Sequence, residues 1–399
     1  MIGAEYSLAI VRPEIPPCPH RPTCPGCPRY GEPGIEPAAS ALLAELAARA
    51  GVTPPRVASG APLGFRTRAR LAVRGRAASP KVGIFQMGTH RIADIPRCGI
   101  HHPAVNEVAA ALRRAIRETG VEPYADGPHR GVLRYLQVAV ERASGRAQVV
   151  LVGNSDSSTP LKPVFESLER ELGPRLQGLF WNGNTAAGNA ILGPRWQRIS
   201  GDEALRESVA GVDVFHPPGA FGQSHPELFE SLALRARSAV PDGARVLELY
   251  AGTGAIGLGL LARAESVALN ELSPHGVRGM ELGVAVRPEV ERTRAVLVPG
   301  DAAAQAERIA RADAVIVDPP RRGLDRAVLD ALVATPPATL VYVSCGVESL
   351  VRDAAELLDS GHYALAALDA YALFPYTAHV ETLAIFERRP DTGRVYSRR

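Results

Sequence analysis

From about Gly201 onward the chain alternates between segments that read as helix and segments that read as strand, and this alternation constrains its fold more than any other feature. "HPELFESLALRARSAV", "GLGLLARA" and "AVLDALVAT" carry helical spacing, whereas "ARVLELY", "SVALNE", "ADAVIVDPP" and "TLVYVSC" are short runs with unbroken apolar cores. Strands that are apolar on both sides need cover on both faces, and a helix between successive strands returns the chain in parallel. An α/β fold follows over residues 206–399, with a doubly wound, mostly parallel sheet. Ligands are expected in the crevice at the carboxyl ends of its strands.

The first half has a different grammar. A helix is predicted over "PAASALLAELAARAG", stopped by Gly51. Beyond it, "TRARLAVRG", "KVGIFQMG", "HRIADIP", "LRYLQVAVERA", "AQVVLVGN" and "LQGLFWNGN" are short segments separated by Gly, Asn and Pro, as antiparallel hairpins require. Helices are expected near Ala104–Thr119 and Pro163–Leu172. The reading is an N-terminal segment over 1–100 packed on a β-rich central domain over 60–205, followed by the α/β domain. A chain of 399 residues exceeds one ordinary core, and 46% hydrophobic with 22% charged residues describes a folded protein. No apolar run approaches the roughly 18 residues that span a bilayer. The opening "MIGAEYSLAIVRPEIPP" lacks a basic region followed by a long apolar core. A cytoplasmic monomer with no membrane partner is expected.

The net charge is only +3, but its carriers are uneven: Lys81 and Lys162 are the only lysines. In "GFRTRARLAVRGR", Arg66, Arg68 and Arg70 recur at period two, on one face of a strand, with Arg74 and Arg76 following. A solvated strand face and an RNA-binding face fit this pattern equally well. Five cysteines, an odd number in a long chain, argue for thiols kept reduced for metal binding or catalysis. Cys18, Cys24 and Cys27 form C-x5-C-x2-C, and Cys98 lies in "IPRCGIHH".

Chemistry-bearing residues gather at strand ends. In "ELYAGTGAIG", Gly252, Gly254 and Gly257 satisfy G-x-G-x-x-G between strand and helix, and Glu271 ends the next strand, placed to accept hydrogen bonds from ribose hydroxyls. A nicotinamide dinucleotide, S-adenosylmethionine or an unliganded tight turn all fit that pattern. "VIVDPPRRGLD" leaves Asp318 at a strand end where two prolines stop the strand, and "LVYVSCGVESL" leaves Cys345 at another. An isolated buried Cys is more often a small hydrophobe. Three strand ends aimed at one crevice favour chemistry.

"CPHRPTCPGC", "GAFGQSHPELF", "VLELYAGTGAIGLGL", "DAVIVDPPRRGLD", "VYVSCGVESL" and "HVETLAIFER" occur in the order and approximate spacing of the RNA uracil-C5 methyltransferases, and the chain resembles that family from Cys18 to about Arg388. The resemblance implies a Rossmann-like S-adenosylmethionine-dependent domain that forms 5-methyluridine in RNA. It implies Cys345 as the nucleophile that adds to C6 of uracil, and Glu381 as the base that removes the C5 proton. Gln223, Tyr250, Glu271 and Asp318 are implied to line the methyl-donor pocket with Gly252, Gly254 and Ala255, and Asp318 and Arg321 to steady the target base and the nucleophile's loop. Cys18, Cys24, Cys27 and Cys98 match the thiols with which one branch binds a [4Fe-4S] cluster; zinc held by four thiolates is the alternative. His20, His101 and His102 are expected to be surface residues.

With seventeen residues ahead of Cys18, the RNA-binding barrel (TRAM domain) of the larger members is not expected, and RNA is expected on the central domain and in the cleft. This layout resembles the ribosomal RNA enzymes of the family and some of its transfer RNA enzymes, and ribosomal RNA is the expected substrate ahead of transfer RNA. The target base would have to leave the stack to reach a thiolate. The chain departs from the family pattern at His225, where Asn is usual, at Gly346 and Val347, where Asn-Pro is usual, and at Ala255, often Asn. A non-catalytic, cluster-bearing RNA-binding or redox-sensing protein is the competing reading. RNA cytosine methyltransferases, the nearer rivals, often carry a second Cys in the D-P-P loop, where this chain has Arg321.

Overall fold

The computed structural model describes residues 15–32 and 34–390. The N-terminal stretch read as lacking a leader and a barrel domain lies almost wholly outside them. The C-terminal sheet has eight strands in the order Val57–Ala58, Tyr363–Tyr371, Glu381–Arg388, Thr339–Ser344, Ala314–Val317, Arg245–Leu249, Ser266–Glu271 and Ala295–Pro299. From Thr339–Ser344 to Ala295–Pro299 all neighbours are parallel, while Glu381–Arg388 runs antiparallel to the strands on either side of it. Separate apolar clusters cover the two faces, with Val246, Ile316 and Val341 in one and Leu247, Val315 and Leu340 in the other. That two-sided burial is why these strands read as unbroken apolar runs. Strand order reverses between Arg245–Leu249 and Ala314–Val317, which opens a crevice at their carboxyl ends.

The central sheet has seven strands in the order Ile92–Asp94, Ser79–Phe85, Arg68–Arg76, Leu133–Val140, Ala147–Gly153, Leu176–Gly183 and Arg195–Gly201. It is antiparallel except between Ala147–Gly153 and Leu176–Gly183, which the helix Lys162–Leu172 connects. That helix and Pro103–Thr119 cover one face through Val105, Leu112, Phe165 and Leu168. The other face meets the α/β unit: Gln137 Nε2 donates to Pro218 O at 2.5 Å and Gln148 Nε2 to His216 O at 3.0 Å. Arg142 joins the two units by donating to Glu207 at 3.0 Å and Glu230 at 3.2 Å.

Several elements differ from the sequence reading. The N-terminal segment, expected to pack on the central domain, divides. Cys24 and Cys98 pack with Ile84 on the central core, but the helix Pro37–Ala50 buries Leu43, Leu46 and Ala47 on the α/β sheet, and Val57–Ala58 extends that sheet beside Ala370–Tyr371. An apolar stripe on a helix needs a face to cover, and the α/β sheet supplies one. "GLGLLARA" forms only a 3₁₀ turn over Gly257–Leu260. Its glycines lie too close to neighbours for ordinary side chains: a Cβ on Gly257 would stand 2.2 Å from Glu248 Oε2, and one on Gly259 2.3 Å from the Arg237 guanidinium.

Candidate active site

The strand Thr339–Ser344 ends at Cys345, and its antiparallel neighbour begins at Glu381. Ser344 pairs in register with Thr382, so nucleophile candidate and base candidate emerge side by side. Thr382 Oγ1 donates to Ser344 O at 3.1 Å, and the Gly346 N–H donates to Ser344 Oγ at 3.1 Å. Gly346 also lets the Asp318–Arg321 loop approach, because a Cβ there would lie 2.8 Å from both Arg321 O and Ser349 Oγ. These loops enclose a cavity of about 560 Å³ lined by Gln223, Tyr250, Gly252, Ala255, Glu271, Asp318, Arg321, Cys345 and Glu381. Gly254 stands behind that wall, left-handed at φ 77°, where a Cβ would press on Leu258 and Met280.

Burial dominates the electrostatics. It pushes the Cys345 thiol up to about 11, reinforced by the Glu381 and Asp318 carboxyls and opposed by Arg321. Asp318 is raised by burial and by Glu271, and Glu381 by burial and by Asp318, while Gln223 and Arg321 favour the Glu381 carboxylate. Arg321 Nη2 donates to His379 Nε2 at 3.1 Å. Two buried oxygens, Gln223 Oε1 and Glu381 Oε2, have no hydrogen-bond partner. Unpaired polar atoms buried at a cavity wall are what a bound polar ligand would satisfy.

On the other side of the cavity, backbone fixes Glu271. Its Oε2 accepts the Gly252 N–H at 2.8 Å and its Oε1 accepts the Ser273 N–H at 2.6 Å. The helix Pro274–Ala285 can sit this close because Gly276 has no side chain: a Cβ there would meet Glu271 Cγ and Gly252 O, each at 2.7 Å. Tyr250 adopts φ 61°, a left-handed conformation unusual for a bulky residue, and its hydroxyl donates to Asp325 at 2.9 Å. The donor set, a pre-oriented carboxylate beside a glycine turn with an aromatic wall, fits an adenosine-bearing sulfonium ligand.

Several lining residues escaped the sequence reading. Arg68 and Thr67 reach the cavity from the central sheet, and His216 and Phe221 from the connection between the units. Burial lowers Arg68 to about 10 and holds His216 well below its usual value. Gly222 accommodates Arg68, whose guanidinium carbon would lie 2.5 Å from a Cβ at that position. The period-two arginines were the available signal for Arg68. Nothing local marks His216. Arg237 holds the glycine turn from behind, donating to Ala255 O at 2.6 Å and Ile256 O at 3.1 Å. His225 is not among the lining residues: it is buried and stacked on Phe65 with centroids 4.9 Å apart.

The four N-terminal-half cysteines share one neighbourhood as free thiols. Burial pushes Cys27 up to about 12, with Cys98, Cys24 and Cys18 each adding to the rise, while backbone N–H groups of Gly26, Ile100 and His101 favour the thiolates of Cys24 and Cys98. The sulfurs are not closed on a common centre: among the described residues no three His, Cys, Asp or Glu side chains are grouped as metal ligands. His101 is buried, contrary to its reading as a surface residue, with Nδ1 3.3 Å from Asn106 Oδ1. Its position under the start of the helix Pro103–Thr119 accounts for that burial.

The sequence pattern of the tRNA (Uracil-5-)-methyltransferase family matches residues 308–389, the span that carries Asp318, Arg321, Cys345 and Glu381. An uncharacterized RNA methyltransferase of Protochlamydia amoebophila is 34% identical over 379 residues, covering 93% of this chain and 97% of that protein. The chain belongs to the RNA uracil-C5 methyltransferase family. A second family relative, an uncharacterized RNA methyltransferase of Geobacter sulfurreducens, is 31% identical across 84% of this chain and 68% of its own length. The fold is that of the Pyrococcus abyssi tRNA (uracil-54, C5)-methyltransferase solved with S-adenosyl-L-homocysteine, with a TM-score of 0.71 at 23% identity, covering 92% of this chain and 86% of that one. The mostly parallel C-terminal sheet is accordingly a methyltransferase domain.

Proposed function

We propose that the protein methylates C5 of a uridine in RNA, with S-adenosylmethionine as methyl donor. One observation carries the reading: Cys345 and Glu381 leave adjacent strands in register and line one cavity with Asp318, Arg321, Gln223 and Glu271. C5 of uracil is too weak a nucleophile to take a methyl group unaided. Addition of the Cys345 sulfur to C6 passes an electron pair toward C5. The thiol proton goes to the Asp318 carboxylate, whose raised proton affinity suits it to receive it, so Glu381 stays ionised for the later step. C5 then takes the donor's methyl group as a cation, leaving a neutral thioether on the donor. Glu381 removes the C5 proton, the C5–C6 double bond re-forms and the Cys345 thiolate leaves.

Glu271 would hold the donor's ribose, and Tyr250, Gln223 and the glycine turn its remaining contacts. Arg321 and Asp318 would steady the base and the nucleophile's loop. The Cys18, Cys24, Cys27 and Cys98 thiols would close on a [4Fe-4S] cluster, or on zinc, and anchor the N-terminal segment without entering the reaction. Support for this comes from their shared neighbourhood and from the backbone N–H groups aimed at two of the sulfurs. Ribosomal RNA is proposed ahead of transfer RNA because the four-cysteine layout resembles the family's ribosomal enzymes.

RNA from cells with and without the gene, digested to nucleosides and mapped for 5-methyluridine, tests the reaction and names the RNA. A covalent adduct with 5-fluorouridine-substituted RNA in the presence of donor is expected, and Cys345→Ala should abolish it. Protein that binds donor but forms neither adduct nor 5-methyluridine would instead be a non-catalytic RNA-binding scaffold.

A further inference from the structure

The hairpin between the strands Ser79–Phe85 and Ile92–Asp94 has an unusual tip. Met87 is 82% exposed, the most exposed large apolar side chain among the described residues. A single exposed methionine carries little by itself. Three features of its surroundings give it meaning.

The tip is already folded. The Gln86 N–H donates to Arg91 O at 2.8 Å, the Thr89 N–H to Gln86 O at 3.1 Å and the Arg91 N–H to Thr89 Oγ1 at 3.1 Å, with Gly88 at φ 66° completing the turn. Its base is braced on both sides. Arg74, held by Asp126, lies 5.2 Å from the Phe85 ring centroid, and the edge of His90 meets the same ring. On the other side, a Cβ on Gly26 would stand 3.1 Å from Ile84 Cδ1, so the cysteine-bearing segment packs directly against the hairpin. Little conformational freedom would be lost on binding.

The tip also carries positive charge and no acid. Arg91 on the tip and Arg70 on the neighbouring strand are exposed and make no ion pair with a carboxylate among the described residues, whereas Asp94 and Asp126 nearby are taken up by Arg113 and Arg74. Finally, the tip lies toward the cavity. Arg68–Arg76 and Ser79–Phe85 are antiparallel and pair only from Arg76–Ser79 to Ala72–Gly83. Beyond that pair the chains separate, one continuing to Arg68 in the cavity wall and the other to the tip at the same end of the sheet.

We propose that the Gln86–Arg91 tip is an RNA-docking element that presses Met87 against a base next to the target uridine, filling the stacking place that the uridine leaves when it enters the cavity. This rests on the methyltransferase reading above. A uridine drawn out of a stack leaves an apolar gap, and apolar side chains, methionine among them, serve as wedges between bases where cations hold the backbone. Arg91 and Arg70 supply the phosphate contacts.

The test uses full-length protein, radiolabelled methyl donor and total RNA from cells lacking the gene, either natively folded or heat-denatured. Met87→Ala should raise the KM for native RNA about tenfold, the order expected for losing the burial of one methionine side chain, and should raise it much less for denatured RNA, which has little stacking to replace. Met87→Leu should retain the wild-type KM and Met87→Glu should exceed the alanine effect. Donor affinity and melting temperature should match wild type in all three variants. An unchanged KM in Met87→Ala, or an equal rise on native and denatured RNA, overturns the proposal alone. Wild-type protein that binds donor and methylates neither preparation overturns the methyltransferase reading and this proposal with it.

Discussion

At the residue scale the site is a small set of buried carboxyls, and their proton affinities set its pH behaviour. In the proposed mechanism Glu381 must be ionised to take the C5 proton, yet burial and Asp318 raise its pKa. Turnover should therefore climb with pH through a value above the usual carboxyl range. Below it, the methylated covalent adduct should accumulate, because Cys345 has added but cannot be released. Quenched-flow sampling of adduct and product across pH checks this, and Glu381→Gln should show the stalled adduct at every pH. Folding stability should run the other way. Glu248, buried beside the Gly257 N–H, is raised from 4.5 to about 8. The folded state thus holds that proton more tightly than the unfolded chain, so its contribution is full below about pH 4.5 and is lost as pH rises toward 8. Urea midpoints of wild type should fall across that window, and those of Glu248→Gln should fall less. Cys345, Asp318 and Glu271 were legible as cavity residues because each stands at the end of a strand of recognisable pattern, whereas Glu381, at the start of a strand, was named only through the family resemblance. Glu248 was not legible, since a carboxyl inside an apolar run carries no mark of what faces it.

At the scale of elements, Cys345 and Glu381 are held side by side by hydrogen bonds among Ser344, Gly346 and Thr382, with the Arg321 carbonyl packed against Gly346. Gly346→Ala would place a methyl group 2.8 Å from Arg321 O, which is backbone and cannot step aside. A loss of about 1–3 kcal/mol of stability is expected, the usual cost of overpacking, together with reduced adduct formation; an unchanged melting temperature would show that the loop yields freely. Thr382→Val removes one buried hydrogen bond at nearly constant volume, so about 1 kcal/mol should be lost, and Thr382→Ser should restore it in thermal melts. The buried parallel strands were readable from two-sided apolarity. The edge strand Arg195–Gly201 was not, because most of its residues face solvent and its sequence has no apolar rhythm. The glycine-turn helix was over-read for the opposite reason: its periodicity is helical, but Glu248 and Arg237 approach its glycines and hold it in a tighter turn.

At the scale of the whole molecule, the cavity belongs to neither half of the chain alone. Arg68 and Thr67 come from the central-sheet unit and Cys345 and Glu381 from adjacent inner strands of the α/β sheet, and the seam between the units is fixed by Arg142, Gln137 and Gln148. Contacts of that range leave no trace in local pattern, which is why Thr67 and His216 were unforeseen in the cavity wall, although the period-two arginines pointed to the central sheet as an RNA face. The cysteine segment sits on the same central unit, and through Arg29 and Tyr30 on Tyr376 of the other, but away from the cavity: of the five thiols only Cys345 is among the lining residues. If the other four hold a metal group, its removal should loosen the segment and the Ile84 hairpin it packs on, while leaving Glu271, Tyr250 and the glycine turn in place. Cys24→Ser, prepared anaerobically beside wild type, should therefore lose iron and sulfide, exchange backbone hydrogens faster over residues 79–94 and bind RNA several-fold more weakly, with donor affinity unchanged in calorimetry. Equal losses of donor and RNA affinity would mean that the metal supports both units rather than the RNA-facing one. Wild-type protein carrying one zinc and no sulfide would replace the iron–sulfur assignment but keep the mechanical argument, because what it requires of the four thiols is a common anchor.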